Sequence, residues 1–146
     1  MKLSTKGRYG ARAAIELALR YGSGPIMVRE IAANQKISDR YLEHILTSLR
    51  SAGLVKSTRG AKGGYELAKS PQDIRLGEII RALEGPIDIV PCTSDQDCEN
   101  ITQCIMIEVW TDVKEAIEGV LDSVTLDELL RRQKKLKDTE AYQYVI

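Results

Sequence analysis

Three cysteines fall at equal intervals in one polar stretch, Cys92-Thr-Ser-Asp-Gln-Asp-Cys98-Glu-Asn-Ile-Thr-Gln-Cys104. Buried structural cysteines sit among apolar neighbours, whereas these are bracketed by Asp, Glu, Asn, Gln and Thr. Thiolates placed in this way can converge on a metal ion or an iron–sulfur cluster. Structural zinc prefers pairs separated by two to four residues, and a C-x-x-C redox pair is absent. Cluster ligation, zinc, a thiol redox switch and no function at all remain open on spacing alone. Three cysteines give three ligands, so a cluster needs a fourth. Glu108 follows Cys104 by four residues, one turn away if a helix already runs through both. Asp97, Glu99, Glu43 and His44 are the other oxygen or nitrogen donors considered.

A second set of residues suits a polyanion. The 146-residue chain has zero formal net charge, but residues 1–69 hold 13 Lys/Arg against 5 Asp/Glu, a balance of +8, and residues 70–146 carry −8. The first half alone has the electrostatic footprint of a nucleic-acid-binding block. Within it, Ser38, Arg40, Tyr41, Glu43 and His44 lie off the apolar Leu42/Ile45/Leu46/Leu49 stripe and project outward near a helix start. There they could reach base edges in a major groove. Arg59 and Lys62 flank a glycine-rich turn and could approach phosphates along a minor groove. Lys6 and Tyr9, with Arg8, sit at the start of the first helix, where phosphate contacts are favoured.

The elements that must position these residues follow from periodicity and punctuation. Ser4 or Thr5 caps a helix reaching about Tyr21, stopped by Gly22-Ser23-Gly24-Pro25. A short helix after Ile26 turns Ile31 and Ala32 inward. Ser38 caps a third helix, Asp39 to about Ser51, ended by Gly53. The runs Leu54–Thr58 and Gly64–Ala68, joined by Arg59-Gly60-Ala61-Lys62-Gly63, read as a hairpin. An amphipathic helix spans Ile74 to Leu83. Residues 86–104 are irregular. Ile105 to about Leu121 is helical, with Ile105, Val109, Val113, Ala116, Ile117 and Val120 on one face. Ser123 or Thr125 caps a last helix to about Lys137, and Asp138–Ile146 carries no signal.

The expected fold is therefore mainly α. A winged helix-turn-helix DNA-binding domain (1–85) is followed by a cysteine-containing loop (86–104) and by a long dimerisation helix with a C-terminal helix (105–146). No run of apolar residues is long enough for a membrane span, and the polar start does not read as a secretory signal. A cytoplasmic protein is expected. No Ser/His/Asp set, phosphate-binding loop or converging carboxylate pair is legible, so neither an enzyme nor a small-molecule substrate is expected.

The segments Leu3-Ser4-Thr5-Lys6-Gly7-Arg8-Tyr9, Ile37-Ser38, Tyr41-Leu42-Glu43 and Leu49-Arg50-Ser51-Ala52-Gly53-Leu54-Val55 resemble the Rrf-type winged-helix regulators. So do Arg59-Gly60-Ala61-Lys62-Gly63-Gly64-Tyr65 and Thr125-Leu126-Asp127-Glu128-Leu129. The likeness covers Met1 to about residue 137. The cysteine spacing is similar to the IscR-like, iron–sulfur branch of that family. The resemblance implies a homodimer on palindromic double-stranded promoter DNA. It also implies one [2Fe-2S] cluster per subunit, held by Cys92, Cys98 and Cys104, and control of cluster-assembly genes. Two positions depart from the branch. Ile107 stands where a histidine serves as fourth ligand, which leaves Glu108 or an external group. His44 stands where glutamine is usual on the reading helix. Glu43 matches the residue thought to discriminate between classes of DNA site.

Overall fold

The computed structural model describes residues 2–94 and 98–143, with side chains to 141. Asp97, one of the candidate ligands, lies outside the described residues. Helix α1 (Thr5–Leu19) begins where the Ser4 hydroxyl accepts from Gly7 N at 3.1 Å. Its buried face consists of small residues, Gly7, Gly10, Ala13, Ala14 and Ala18, with Leu17. That smallness lets helix α4 (Leu76–Glu84) approach closely, so a Cβ on Gly10 would collide with Leu83. Helix α2 (Val28–Gln35) stops at Lys36, whose left-handed backbone (φ 56°) makes the turn into helix α3 (Asp39–Ser51). Ser38 caps α3 by accepting from Tyr41 N, and Leu42, Ile45, Leu46 and Leu49 are fully buried.

Strands β1 (Val55–Thr58) and β2 (Gly64–Leu67) pair antiparallel, with Val55 opposite Leu67 and Thr58 opposite Gly64. The ladder starts one residue later and ends one residue earlier than the apolar runs, although Ala68 N still donates to Leu54 O. Ile26 exchanges two 2.9 Å backbone hydrogen bonds with Tyr65 and so acts as a one-residue third strand of the wing.

Ile74 is not the start of α4. It is fully buried in extended backbone and its carbonyl accepts from Leu126 N, while Leu76 N donates to Val124 O. This bridge holds the junction between helices α5 (Met106–Ser123) and α6 (Leu126–Gln143) against the core. Thr125 caps α6 by accepting from Glu128 N at 3.2 Å. Helix α6 runs past Lys137 through residues that gave no pattern in the sequence. Between α4 and α5 the chain makes two 3-10 turns, Pro91–Thr93 and Ile101–Gln103.

One core gathers the buried faces of α1, α3 and α4 with Leu54, Val55, Tyr65, Leu67 and Leu126. Helix α5 contributes no buried residue. Val109, Val113 and Val120 remain 39–65% exposed, and Val113, Ala116, Ile117, Val120 and Leu121 line an almost wholly apolar groove. The stripe lies on the side of α5 that no other element of the chain covers, and an exposed apolar patch of this kind is typical of association surfaces.

Candidate functional site

On α3 the residues facing away from the core are Ser38, Asp39, Arg40, Glu43 and His44, all exposed, with Tyr41 half-buried. Ser38, Arg40, Tyr41 and His44 line a shallow concavity at the helix start. Tyr41 meets Tyr9 of α1 edge to face, centroids 6.3 Å apart and planes at 87°. The Arg12 guanidinium lies 5.5 Å from the Tyr9 ring centre. The two tyrosines thus join the start of α1, with Lys6 half-buried beside it, to the N-terminal end of α3. The ion pair open to Glu43 and Arg40 is not formed among the described residues, which leaves the Glu43 carboxylate outward.

The wing tip is exposed from Arg59 to Lys62, and Gly60 turns it with φ 111° and an acceptor for Gly63 N. Arg50 at the end of α3 donates to Ser57 Oγ on β1 at 3.0 Å, fixing wing against helix. Across the strands Lys56 pairs with Glu66 at 2.8 Å, and this hydrogen bond raises the Lys56 pKa. Alanine at Arg59 should weaken binding to any duplex and lower the slope of log affinity against log salt by about one. Anisotropy titrations between 50 and 200 mM salt read this, and an unchanged slope removes Arg59 from the phosphate contacts.

The cysteine segment begins at a built anchor. Lys114 of α5 donates to Asp88 at 2.9 Å, both side chains about three-quarters buried. That hydrogen bond pulls the Asp88 pKa below the usual carboxylate range and pushes the Lys114 pKa up. Farther along α5, Asp122 accepts from Arg81 of α4 at 2.5 Å, and its carbonyl accepts from Arg75. The hydrogen bond to Asp122 raises the Arg81 pKa. At the far end of α4, Glu84 accepts from Ser4 and from Gly7 N, so α4 also caps α1. Reading residues singly missed these ties, because each joins side chains brought together only by the fold.

Cys92 is half-buried, Cys98 and Cys104 are exposed, and none is in a disulfide. In kind, the donors suit an iron–sulfur cluster: three free thiols in one segment, with the Glu99 and Glu108 carboxylates exposed nearby. No three His, Cys, Asp or Glu side chains converge on a common point among the described residues. Cys104 has extended backbone (ψ 104°) and precedes α5, so it and Glu108 are not one helical turn apart. Glu43 and His44 lie on α3, outside this segment.

A family model described as Rrf2, iron-dependent transcriptional regulator, matches residues 3–132. The chain belongs to the Rrf2 family of transcriptional regulators. It is 44% identical to the HTH-type transcriptional regulator CymR of Bacillus subtilis over 146 residues, the whole of both chains. It is 39% identical to the HTH-type transcriptional regulator IscR of Photobacterium profundum, covering 90% of this chain and 76% of the relative. The solved structure of T. potens IscR superposes with a TM-score of 0.76 at 43% identity, over 93% of this chain and 90% of that one. That of CymR, the global cysteine regulator of B. subtilis, gives 0.74 at 46%, over 88% and 95%. The winged-helix architecture and the regulatory, non-enzymatic class are those of the Rrf2 family. No helix among the described residues is long and apolar enough to cross a membrane.

Proposed function

We propose that the chain is a cytoplasmic homodimer that binds promoter DNA and adjusts its choice of sites to iron–sulfur cluster status, governing cluster-assembly genes. The carrying observation is the cysteine triad itself, three undisulfided thiols in the segment anchored between α4 and α5. A [2Fe-2S] cluster on Cys92, Cys98 and Cys104 would supply a signal set by iron, sulfide and oxidant. Glu108, Glu99 and Asp97 are the carboxylates in or beside the segment that could complete the donor set, and Glu43 or His44 of a second copy could also do so.

The rest falls to side chains of the chain. Ser38, Arg40, Tyr41, Glu43 and His44 face base edges. Glu43 can accept from cytosine N4 and repels phosphate, which penalises wrong sites. His44 offers one donor and one acceptor where a glutamine amide would offer a bidentate pair to adenine. Lys6, Tyr9, Arg59 and Lys62 meet the backbone. A displacement of residues 86–104 acts on Asp88–Lys114, then on α5, on Arg81–Asp122 and α4, and through Glu84 on the start of α1 and the Tyr9–Tyr41 contact.

Cys92→Ala tests the reading. Anaerobically prepared wild type is expected to be coloured, with matched iron and sulfide, and to rank promoter fragments differently with and without iron. The variant should lose both properties while keeping salt-dependent affinity for duplex DNA. Unchanged discrimination by Cys92→Ala, with and without iron, would overturn it.

A second reading is supported by the full-length likeness to CymR. Here the chain carries no cofactor, and its exposed thiols or a partner protein set the output. It expects colourless, iron-free protein whose DNA affinity changes on mild thiol oxidation and returns on reduction.

A further inference from the structure

Between α1, the end of α2 and α6 lies an open cavity of about 350 Å³, lined by neither the cysteines nor any residue proposed above to contact DNA. Its size falls at the low end of small-molecule sites. Arg12 and Glu16 of α1, four residues apart, and Arg20 just past its end lie along it, with Ile15 and Leu19 as an apolar floor. Asn34 and Gln35 close it from α2 and Gln133 from α6.

Glu16 is the buried charged residue of the core region, 8% exposed. Its carboxylate accepts from Asn34 Nδ2 at 2.5 Å and from Gln35 Nε2 at 2.8 Å, and it meets no cation within 4 Å among the described residues. A buried carboxylate held only by neutral amides is incompletely compensated. The Gln35 amide orientation is dictated by Glu16, since only its NH₂ can face a carboxylate. Its oxygen is then left buried with no donor. Two acceptors thus stand together, one ionic and one orphaned, and both want N–H donors carrying positive charge. Beside them are two guanidiniums with donors to spare. Arg20 commits one nitrogen to Glu30 at 2.5 Å, and Arg12 lays its face on Tyr9 and keeps its edges.

We propose that this cavity binds a small zwitterion, an α-amino acid, with its ammonium group on Glu16 and Gln35 and its carboxylate on Arg12 and Arg20. Cation, anion and apolar floor match the three parts of such a ligand. An occupant would brace α1 against the last turn of α2, next to the Lys36 turn of the helix-turn-helix.

The test uses the full chain and a panel of the proteinogenic L-α-amino acids at millimolar concentration, read by thermal melting and then by calorimetric titration. At least one member should raise the melting temperature by ligand linkage. Its N-acetyl derivative, which lacks the ammonium, and its decarboxylated amine should each bind at least about tenfold more weakly. Glu16→Gln should weaken binding roughly 10- to 100-fold, as loss of a charge-assisted contact does. Arg12→Ala, at an exposed position, should do so by about tenfold and keeps the proposal testable if Glu16→Gln melts early. A panel without any shift, an N-acetyl derivative or free amine that binds as well as the parent, or unchanged affinity in Arg12→Ala would overturn the proposal.

Discussion

Val113→Asp should leave a folded monomer whose affinity for a palindromic promoter site is about a thousandfold below that of the wild type. Val113 sits in the apolar groove of α5, 39% exposed, with Ala116, Ile117, Val120 and Leu121 around it. Val113 is not part of the buried core, so the substitution removes little internal packing. In a dimer closed through this stripe, two carboxylates would enter an apolar seam with no partner, at several kcal/mol. The loss at DNA is larger than the loss of contacts suggests. Two reading helices joined in one particle bind their half-sites with an effective concentration, and separation forfeits the 10²–10⁴ that such linkage contributes. Sedimentation velocity reads the first effect and anisotropy on a palindromic duplex the second. A variant that sediments as a dimer and binds as tightly as wild type would move the interface off α5. Affinity for non-specific duplex at low salt should change much less, because Arg59, Lys62 and Lys6, the proposed phosphate contacts, are untouched by the substitution.

What could be read from residue order and what could not divide along a physical line. Helix α3 was legible to the residue, Asp39–Ser51, because the Ser38 cap, the Leu42/Ile45/Leu46/Leu49 spacing and Gly53 are all local. The wing was legible for the same reason, through Gly60, Gly63 and two short β-branched or aromatic runs. Ile74 was misassigned. Its position in the chain reads as the first turn of an apolar helix, but its carbonyl and the Leu76 amide are claimed by a segment some 50 residues away. The one-residue strand at Ile26 escaped for the same cause, since only Tyr65 gives it a partner. At the candidate site, the outward set on α3 and the wing tip followed from helical spacing and glycine. The ties that connect the cysteine segment to that face, Lys114 to Asp88 and Arg81 to Asp122, did not. Each is a charge that in isolation looks like ordinary solvated surface. The Tyr9–Tyr41 contact shows the same limit: each tyrosine by itself reads as a DNA contact, and only the fold shows that they pack on one another between α1 and α3.

Leu126→Ala should lower stability by about 2–5 kcal/mol and the melting temperature by roughly 6–15 °C. Leu126 stands at the start of α6, so by chain order it reads as part of an appendage. In the fold it is 0% exposed and packs in the core of the DNA-binding block. Its amide is hydrogen-bonded to Ile74 O at 3.0 Å, one residue from the Thr125 cap, with the α5–α6 junction held between them. Truncation leaves a cavity where backbone hydrogen bonds on both sides hinder collapse, which favours the upper part of that range. Leu136, lower on the same helix and 68% exposed, provides the contrast: its alanine variant should stay within about 0.5 kcal/mol of wild type. Both are leucine truncations on α6, so helix propensity largely cancels between them. A Leu126→Ala melt within 2 °C or so of wild type would mean that α6 is carried by the fold without supporting it. The expected result means the opposite. The block that presents α3 is completed by a residue that follows the cysteine segment and α5 in the chain, so that segment and α5 are tied to one core at both ends, through α4 before them and Leu126 after.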